Sequence, residues 1–203
     1  MDIHSLYGKF LECKSVSTDT RHIQKDDLFV ALKGEHFNGN KFAKAALDRG
    51  AKYAIIDDEN YQIPGKTILC NNSLACLQAL EKTHRHKMNA IVLAITGTNG
   101  KTTSKELTLA VLNSQYKCIA TEGNLNNHIG VPLSLLRIQK ETEYAIIEMG
   151  ANHPNEIQLL CEIAEPDYGV ITNVGQAHIE GFGSFEGEKK AKAELYNYLN
   201  SKH

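Results

Sequence analysis

The chain has 203 residues, enough for one large domain or two small ones, and its 42% hydrophobic and 23% charged residues are an ordinary globular balance. A formal net charge of -2 excludes broad electrostatic attraction to nucleic acid or to anionic membranes. No apolar run reaches membrane-spanning length and the opening MDIHSLYGKF lacks a signal-peptide core, so a cytoplasmic monomer with no nucleic-acid or membrane partner is expected.

In chain order, DLFVAL (27–32) reads as a buried strand and NKFAKAALDR (40–49) as a helix, with Asn40 as N-cap and Gly50 as its stop. AKYAIID is the next strand and ILC (68–70) a further one. Ser73 is placed as the cap of SLACLQALEKTHR, whose Leu74, Leu77 and Leu80 share one helical face. The polar HRHKMN then marks a boundary, giving a first domain over 1–87 and a second over 88–203. The second half alternates more regularly. IVLAIT (91–96) is a strand, KTTSKELTLAVLN a helix, YKCIA a strand, VPLSLLRI a short helix, EYAIIEM a strand, NEIQLLCEIA a helix and YGVITN a strand. Near-continuous apolar strands alternating with helices predict an α/β fold with a parallel sheet covered on both faces. Ligands of such sheets bind beyond the carboxyl ends of the strands, where Lys101, Glu148, Asn173 and His178 fall. After the last helix, GEKKAKAELYNYLN, no closing strands follow, so the sheet reads as incomplete.

Five scattered cysteines without a C-x-x-C pair fit reduced thiols, and the nine histidines show no zinc-type spacing. The informative stretch is AITGTNGKTTSKE (94–106). Strand, glycine turn, Lys-Thr and helix form the context of a phosphate loop. Gly97 and Gly100 let successive N–H groups turn inward, and Thr98 and Asn99 lie between them. Lys101 can reach terminal phosphates, Thr102 offers a hydroxyl to Mg2+, and Thr103 continues the helix start. The longer form of the loop would carry glycine where Ile95 stands. Read alone, the segment is also compatible with a plain turn and helix start.

T-G-T-N-G-K-T-T resembles the ATP loop of the Mur ligase superfamily, in which the short form is the rule. TEGNLNNHIGVPLSLL, IIEMGANHPNEI, ITNVGQAHIEGFGS and, earlier, STDTRHIQKDDLFVALKGEHFNGNKFA resemble further blocks of that family, in order. Asn155 departs from the pattern, which usually has glycine there, at a helix start away from the chemistry. The resemblance implies a small α/β UDP-binding domain followed by a partial P-loop ATPase domain. A third, C-terminal domain of the family has no counterpart, so the chain is expected to be a fragment, inactive alone. The implied reaction joins a carboxylate to an amine with ATP and two Mg2+ ions. The blocks G-N-L-N-N-H-I-G and A-H-I-E-G-F-G favour the branch that adds D-alanyl-D-alanine to UDP-N-acetylmuramoyl-tripeptide. A sister ligase adding a single amino acid, or a non-catalytic nucleotide-binding module, are the alternatives.

The resemblance also assigns residues. Lys101, Glu148, His178 and Lys192 are implied as catalytic, with Thr102, Glu148, His178 and Lys192 as metal ligands. Lys192 corresponds to a lysine that carries CO2 as a carbamate, whereas Lys189 and Lys190 fit a solvated helix face. Gly97, Thr98, Asn99, Gly100, Lys101, Thr102 and Thr103 are implied as ATP-binding, with Asn173 at the adenine end of ATP. Asn126 and Asn127 are implied at a substrate diphosphate, and Thr18, Asp19, Thr20 and Arg21 at the uridine. Without the resemblance, His178 reads as a polar loop residue, Glu148 as a cap or solvated carboxylate, Lys192 as a surface lysine, and Asp19 with Arg21 as a surface pair on a capped turn.

Overall fold

The computed structural model describes residues 2–175 and 179–202. Two compact units divide the chain, Met1–His84 and Arg85–His203.

The first unit opens with helix α1 (Ile3–Leu11), whose start is fixed by Asp2 accepting the N–H groups of His4 and Ser5 at 2.8 and 3.1 Å. Leu6, Tyr7 and Phe10 form its buried face. There follow β1 (Val16–Ser17), β2 (Leu28–Val30), a hairpin of β3 (Lys33–Gly34) and β4 (Phe37–Asn38), α2 (Ala43–Asp48), β5 (Tyr53–Ile56), β6 (Thr67–Leu69) and α3 (Ser73–Arg85). The main sheet has the order β1-β2-β5-β6, all parallel. Its strands bury Phe29, Ala54 and Ile56 against Ala43 and Ala46 of α2. Leu77 and Leu80 of α3 are fully buried, each worth roughly 1.5–3 kcal/mol.

Two expected caps are corrected. Asn40 does not cap α2. It sits inside a 3-10 turn over Gly39–Phe42, fully buried, and its side chain donates to Asp57 and Asn38 while accepting the Asp57 N–H. A buried carboxylate, Asp57, needs those partners together with the Lys33 ammonium at 2.9 Å, and this requirement overrides local capping. Ser73 is the first residue of α3. Asn72 takes the capping role, accepting the Ala75 N–H at 2.8 Å, while the Ser73 N–H goes to Asp57.

The second unit contains β7 (Ile91–Thr96), α4 (Lys101–Leu112), β8 (Cys118–Ala120), α5 (Gly130–Leu135), β9 (Tyr144–Glu148), α6 (Glu156–Ala164), β10 (Tyr168–Ile171), α7 (Ile179–Phe182) and α8 (Phe185–Lys202). The sheet order is β10-β7-β9-β8, again all parallel. Val92, Ala94, Ala145 and Ile147 point into a core shared with α5, α6 and α8, and Ile95 and Ile146 into a second core with α4. Alternate strand residues thus serve opposite faces, so these strands read as unbroken apolar runs. Asn155 precedes α6 at φ 68°. This left-handed geometry is the physical reason glycine suits the position, and asparagine is among the few side chains that tolerate it. No described helix is long and apolar enough to cross a membrane.

Candidate functional site

At the carboxyl ends of β7 and β9 lies a cavity of about 620 Å3 whose walls include Gly97, Thr98, Lys101, Thr102, Asn126, Asn127, Glu148 and Lys192. The loop between β7 and α4 forms one wall. Gly97 has φ +142°, and a Cβ there would lie 2.0 Å from the Thr172 hydroxyl, so only glycine fits. Gly100, at φ 78°, turns the chain into α4. Lys101 and Thr102, the first residues of α4, line the cavity, so the helix N-terminus adjoins it, an arrangement suited to anions. Lys101 Nζ donates to the carbonyls of Gly97 and Thr98 at 2.8 and 3.0 Å.

Glu148 ends β9 with 2% exposure. Both carboxylate oxygens are engaged, one accepting from Thr102 Oγ1 at 2.9 Å and the other from Asn126 Nδ2 at 2.9 Å. Its N–H donates to Thr121 Oγ1 at 3.0 Å, and the Thr121 carbonyl accepts from the buried ammonium of Lys105 at 2.6 Å. Lys105 was not singled out by sequence, although it lies one turn beyond Lys101. Asn127 accepts the N–H groups of Ile129 and Gly130 at the start of α5.

Lys192, on α8, is 2% exposed. Its ammonium donates a long 3.5 Å hydrogen bond to the Ala151 carbonyl and lies 5.2 Å from the Phe182 ring centroid. Burial, and then the charge of Lys101, lower its pKa, against the opposing charges of Glu188, Glu156 and Glu194. Lys189 and Lys190 are exposed. Glu156 also lines the cavity. Burial opposes its ionisation, but the N–H groups of Asn152 and His153 outweigh that and hold its pKa down. Asn173 does not line the cavity wall. Its amide bonds the Asn99 main chain on both sides, accepting from N and donating to O, and so braces the loop. Asn99 and Thr103 are exposed. His178 lies outside the described residues.

Among the described residues no group of three or more His, Cys, Asp or Glu is assembled for a metal. The Thr102 hydroxyl and Glu148 carboxylate are nevertheless adjacent hard oxygens beside an anion-suited loop, which fits an ion that takes one or two protein oxygens and completes its shell with phosphate and water.

In the first unit Thr18, Asp19, Thr20 and Arg21 line a separate cavity of about 420 Å3 with Phe29, Phe37 and Phe42. Arg21 and Asp19 form a bidentate pair, with Nη2–Oδ2 at 2.6 Å, and Asp19 also caps the 3-10 turn over Thr20–His22. The Arg21 guanidinium and N–H hold the Asp19 carboxyl well below its usual range. The surface pair on a capped turn is thus present, on the rim of a cavity. Phe37 and Phe42 stack at 5.5 Å and are 53% and 40% exposed. Sequence reasoning missed them, and the only signal was two aromatics flanking a polar G-N-K turn.

A model described as the Mur ligase middle domain matches residues 95–203, and one described as the Mur ligase family catalytic domain matches 12–96. The UDP-N-acetylmuramoyl-tripeptide--D-alanyl-D-alanine ligase of Bacillus subtilis (strain 168) is 42% identical over 187 residues, covering 91% of this chain and 41% of that protein. The Escherichia coli (strain K12) ligase of the same name is 40% identical over 194 residues, covering 96% and 43%. A crystal structure of MurF from Acinetobacter baumannii superposes with a TM-score of 0.83 at 33% identity, covering 97% of this chain and 46% of that one. A MurF ligase from Thermotoga maritima, in complex with ADP, gives a TM-score of 0.80 at 33% identity, covering 93% and 44%. The chain spans about two fifths of the length of the curated relatives it matches. Since the middle-domain model alone covers more than half of its residues, this chain belongs to the Mur ligase family.

Proposed function

We propose that this chain forms the UDP-precursor-binding and ATP-binding part of a ligase that adds D-alanyl-D-alanine to UDP-N-acetylmuramoyl-tripeptide. The observation that carries the reading is one cavity bringing together the glycine turn, Lys101, the Thr102–Glu148 pair and the buried Lys192. In this reading residues 88–203 are the P-loop ATPase part and residues 1–87 the nucleotide-sugar part. Similarity to the named ligases, at 42% and 40% identity, supports the choice of dipeptide over a single amino acid.

A carboxylate is a poor electrophile, so the tripeptide carboxylate takes the γ-phosphoryl group of ATP, and the amine of D-alanyl-D-alanine then displaces phosphate from the acyl carbon. The N–H groups at the α4 N-terminus hold phosphate oxygens, while the Thr98 and Asn99 N–H groups, bonded to Asn173, keep the loop in shape. Lys101 exchanges its loop carbonyls for the developing charge of the transferred group. Thr102 and Glu148 would hold Mg2+, with His178 and a carbamate on Lys192 at a second ion, and bound Mg2+ would supply charge neutralisation between the two anionic reactants. Asn126 links Glu148 to the substrate side, and Asn127 fixes the loop that approaches the diphosphate. Asn173 acts by bracing Asn99 beside the bound ATP. In the first unit, Thr18 to Arg21 with the Phe37–Phe42 wall would take the uridine, the aromatic faces stacking on the base.

Calorimetric titration of the 203-residue chain with Mg-ADP and, separately, with a UDP-sugar tests this reading. Weak 1:1 binding of each is expected, with no phosphate release in the presence of ATP and both substrates, because the chain spans about two fifths of the length of the ligases it matches and turnover depends on closure that aligns the reactants. Absence of nucleotide binding by the folded chain contradicts the loop assignment, and absence of UDP-sugar binding contradicts the uridine site.

A further inference from the structure

We propose that Glu188 is a positioning residue that fixes the shape of the 97–101 loop through the Thr98 hydroxyl; its consequence for affinity rests on the nucleotide reading above. Glu188 stands near the start of α8 and is 1% exposed. A carboxylate that deep is stable only with strong partners. Thr98 Oγ1 donates to its Oε1 at 2.5 Å, a short charge-assisted bond. The same hydroxyl accepts the Gly175 N–H at 2.8 Å, so it both donates and accepts. The Thr98 main chain is held as well, its N–H donating to the Asn173 carbonyl at 3.1 Å and its own carbonyl accepting from Lys101 at 3.0 Å.

Thr98 is therefore a junction. One side of the loop is tied to residues 173–175 after β10, and the other to α8. Glu188 and Lys192 are four residues apart on that helix, hence on one face, and both are buried while Lys189 and Lys190 between them are exposed. The helix thus presents a carboxylate to the loop and an amine to the cavity from the same face. Remove the carboxylate and the hydroxyl of Thr98, a residue 9% exposed, loses its acceptor. The loop must then be ordered when phosphate binds, and that ordering subtracts from affinity. A competing role, simple charge balance for Lys192, predicts a different pattern of variants: it depends on the charge and not on the hydrogen bond.

Amide hydrogen exchange of the unliganded chain and titration with Mg-ADP, on the wild type, Glu188→Gln, Glu188→Leu, Thr98→Val and the double variant Thr98→Val/Glu188→Leu, separate these. Glu188→Leu is expected to speed exchange across 97–101, with α6 unchanged, and to weaken ADP binding about tenfold, as for loss of one hydrogen bond to a charged group. Glu188→Gln keeps an oxygen acceptor and should recover most of the affinity. The double variant should bind no worse than the weaker single one, because both remove the same bond. Unchanged loop exchange in Glu188→Leu, equal defects in the Gln and Leu variants, or additive losses would each overturn the proposal. If Glu188→Leu fails to fold, Thr98→Val and Glu188→Gln give the same decision: faster loop exchange in the first and near-normal exchange in the second are expected, and the reverse refutes it. Failure of the wild type to bind ADP removes the nucleotide reading, while the exchange data on the unliganded chain still decide whether Glu188 holds the loop.

Discussion

Lys101→Ala should lower phosphoryl transfer in the complete ligase on the order of a hundredfold or more, the cost of removing one preorganised electrostatic contact, roughly 2.7–4 kcal/mol. Lys101 is the cation at the mouth of the glycine turn, and its ammonium is held within 3.0 Å of two loop carbonyls. Those carbonyls hold the ammonium at the glycine turn, and in the proposed reaction it exchanges them for the charge of the transferred phosphoryl group. The substitution touches a half-buried side chain and leaves the backbone of α4 intact, so folding should be preserved. Steady-state phosphate release, with thermal unfolding as the control, reads the effect. Turnover close to wild type would show that the loop does not handle the reacting phosphate.

Lys192→Ala should cost the complete ligase a similar factor, roughly a hundredfold or more, if an anion on this side chain faces the reacting groups. Carbamate formation joins a neutral amine to CO2 and releases a proton. Burial and then the nearby Lys101 charge lower the Lys192 pKa, against the charges of Glu188, Glu156 and Glu194, so the neutral amine is more accessible than on a free lysine. The Lys192 ammonium makes one long 3.5 Å hydrogen bond to a carbonyl and lies 5.2 Å from an aromatic face. Formate or acetate should partly restore the alanine variant by occupying the vacated anion position. Carbon-13 bicarbonate should give the wild type a carbamate resonance that the variant lacks. Full activity in the alanine variant, or no such resonance in the wild type, would make Lys192 a buried lysine and nothing more.

What sequence revealed and what it hid divide along a physical line. The phosphate-type loop is a local object: strand, glycine at positive φ, lysine and helix all lie within 94–106, so its pattern is legible without knowing the fold. The strands of the second unit were legible because both faces of a parallel sheet are buried, which makes IVLAIT and EYAIIEM continuous apolar runs. Helix α1 escaped because its apolar face is only Leu6, Tyr7 and Phe10, interrupted by Gly8. The roles of Asn40 and Asn72 escaped because they depend on Asp57, a partner far away in sequence for Asn40 and a competitor for the Ser73 N–H beside Asn72. Glu188 was hidden in E-K-K-A-K-A-E, a composition that ordinarily faces water. Only the helical period, with 188 and 192 inward and 189 and 190 outward, separates its members.

The central claim, a ligase that joins D-alanyl-D-alanine to a UDP-linked tripeptide at the Lys101 cavity, is tested most directly by the mass of the product. The chain, joined to the remainder of its own ligase, would be supplied with ATP, Mg2+, UDP-N-acetylmuramoyl-tripeptide and either D-alanyl-D-alanine or single amino acids. The account predicts that the UDP-linked product gains one dipeptide residue mass with one phosphate released per product, and that single amino acids support neither. Efficient addition of a single amino acid, or ATP turnover indifferent to the amine, would contradict it.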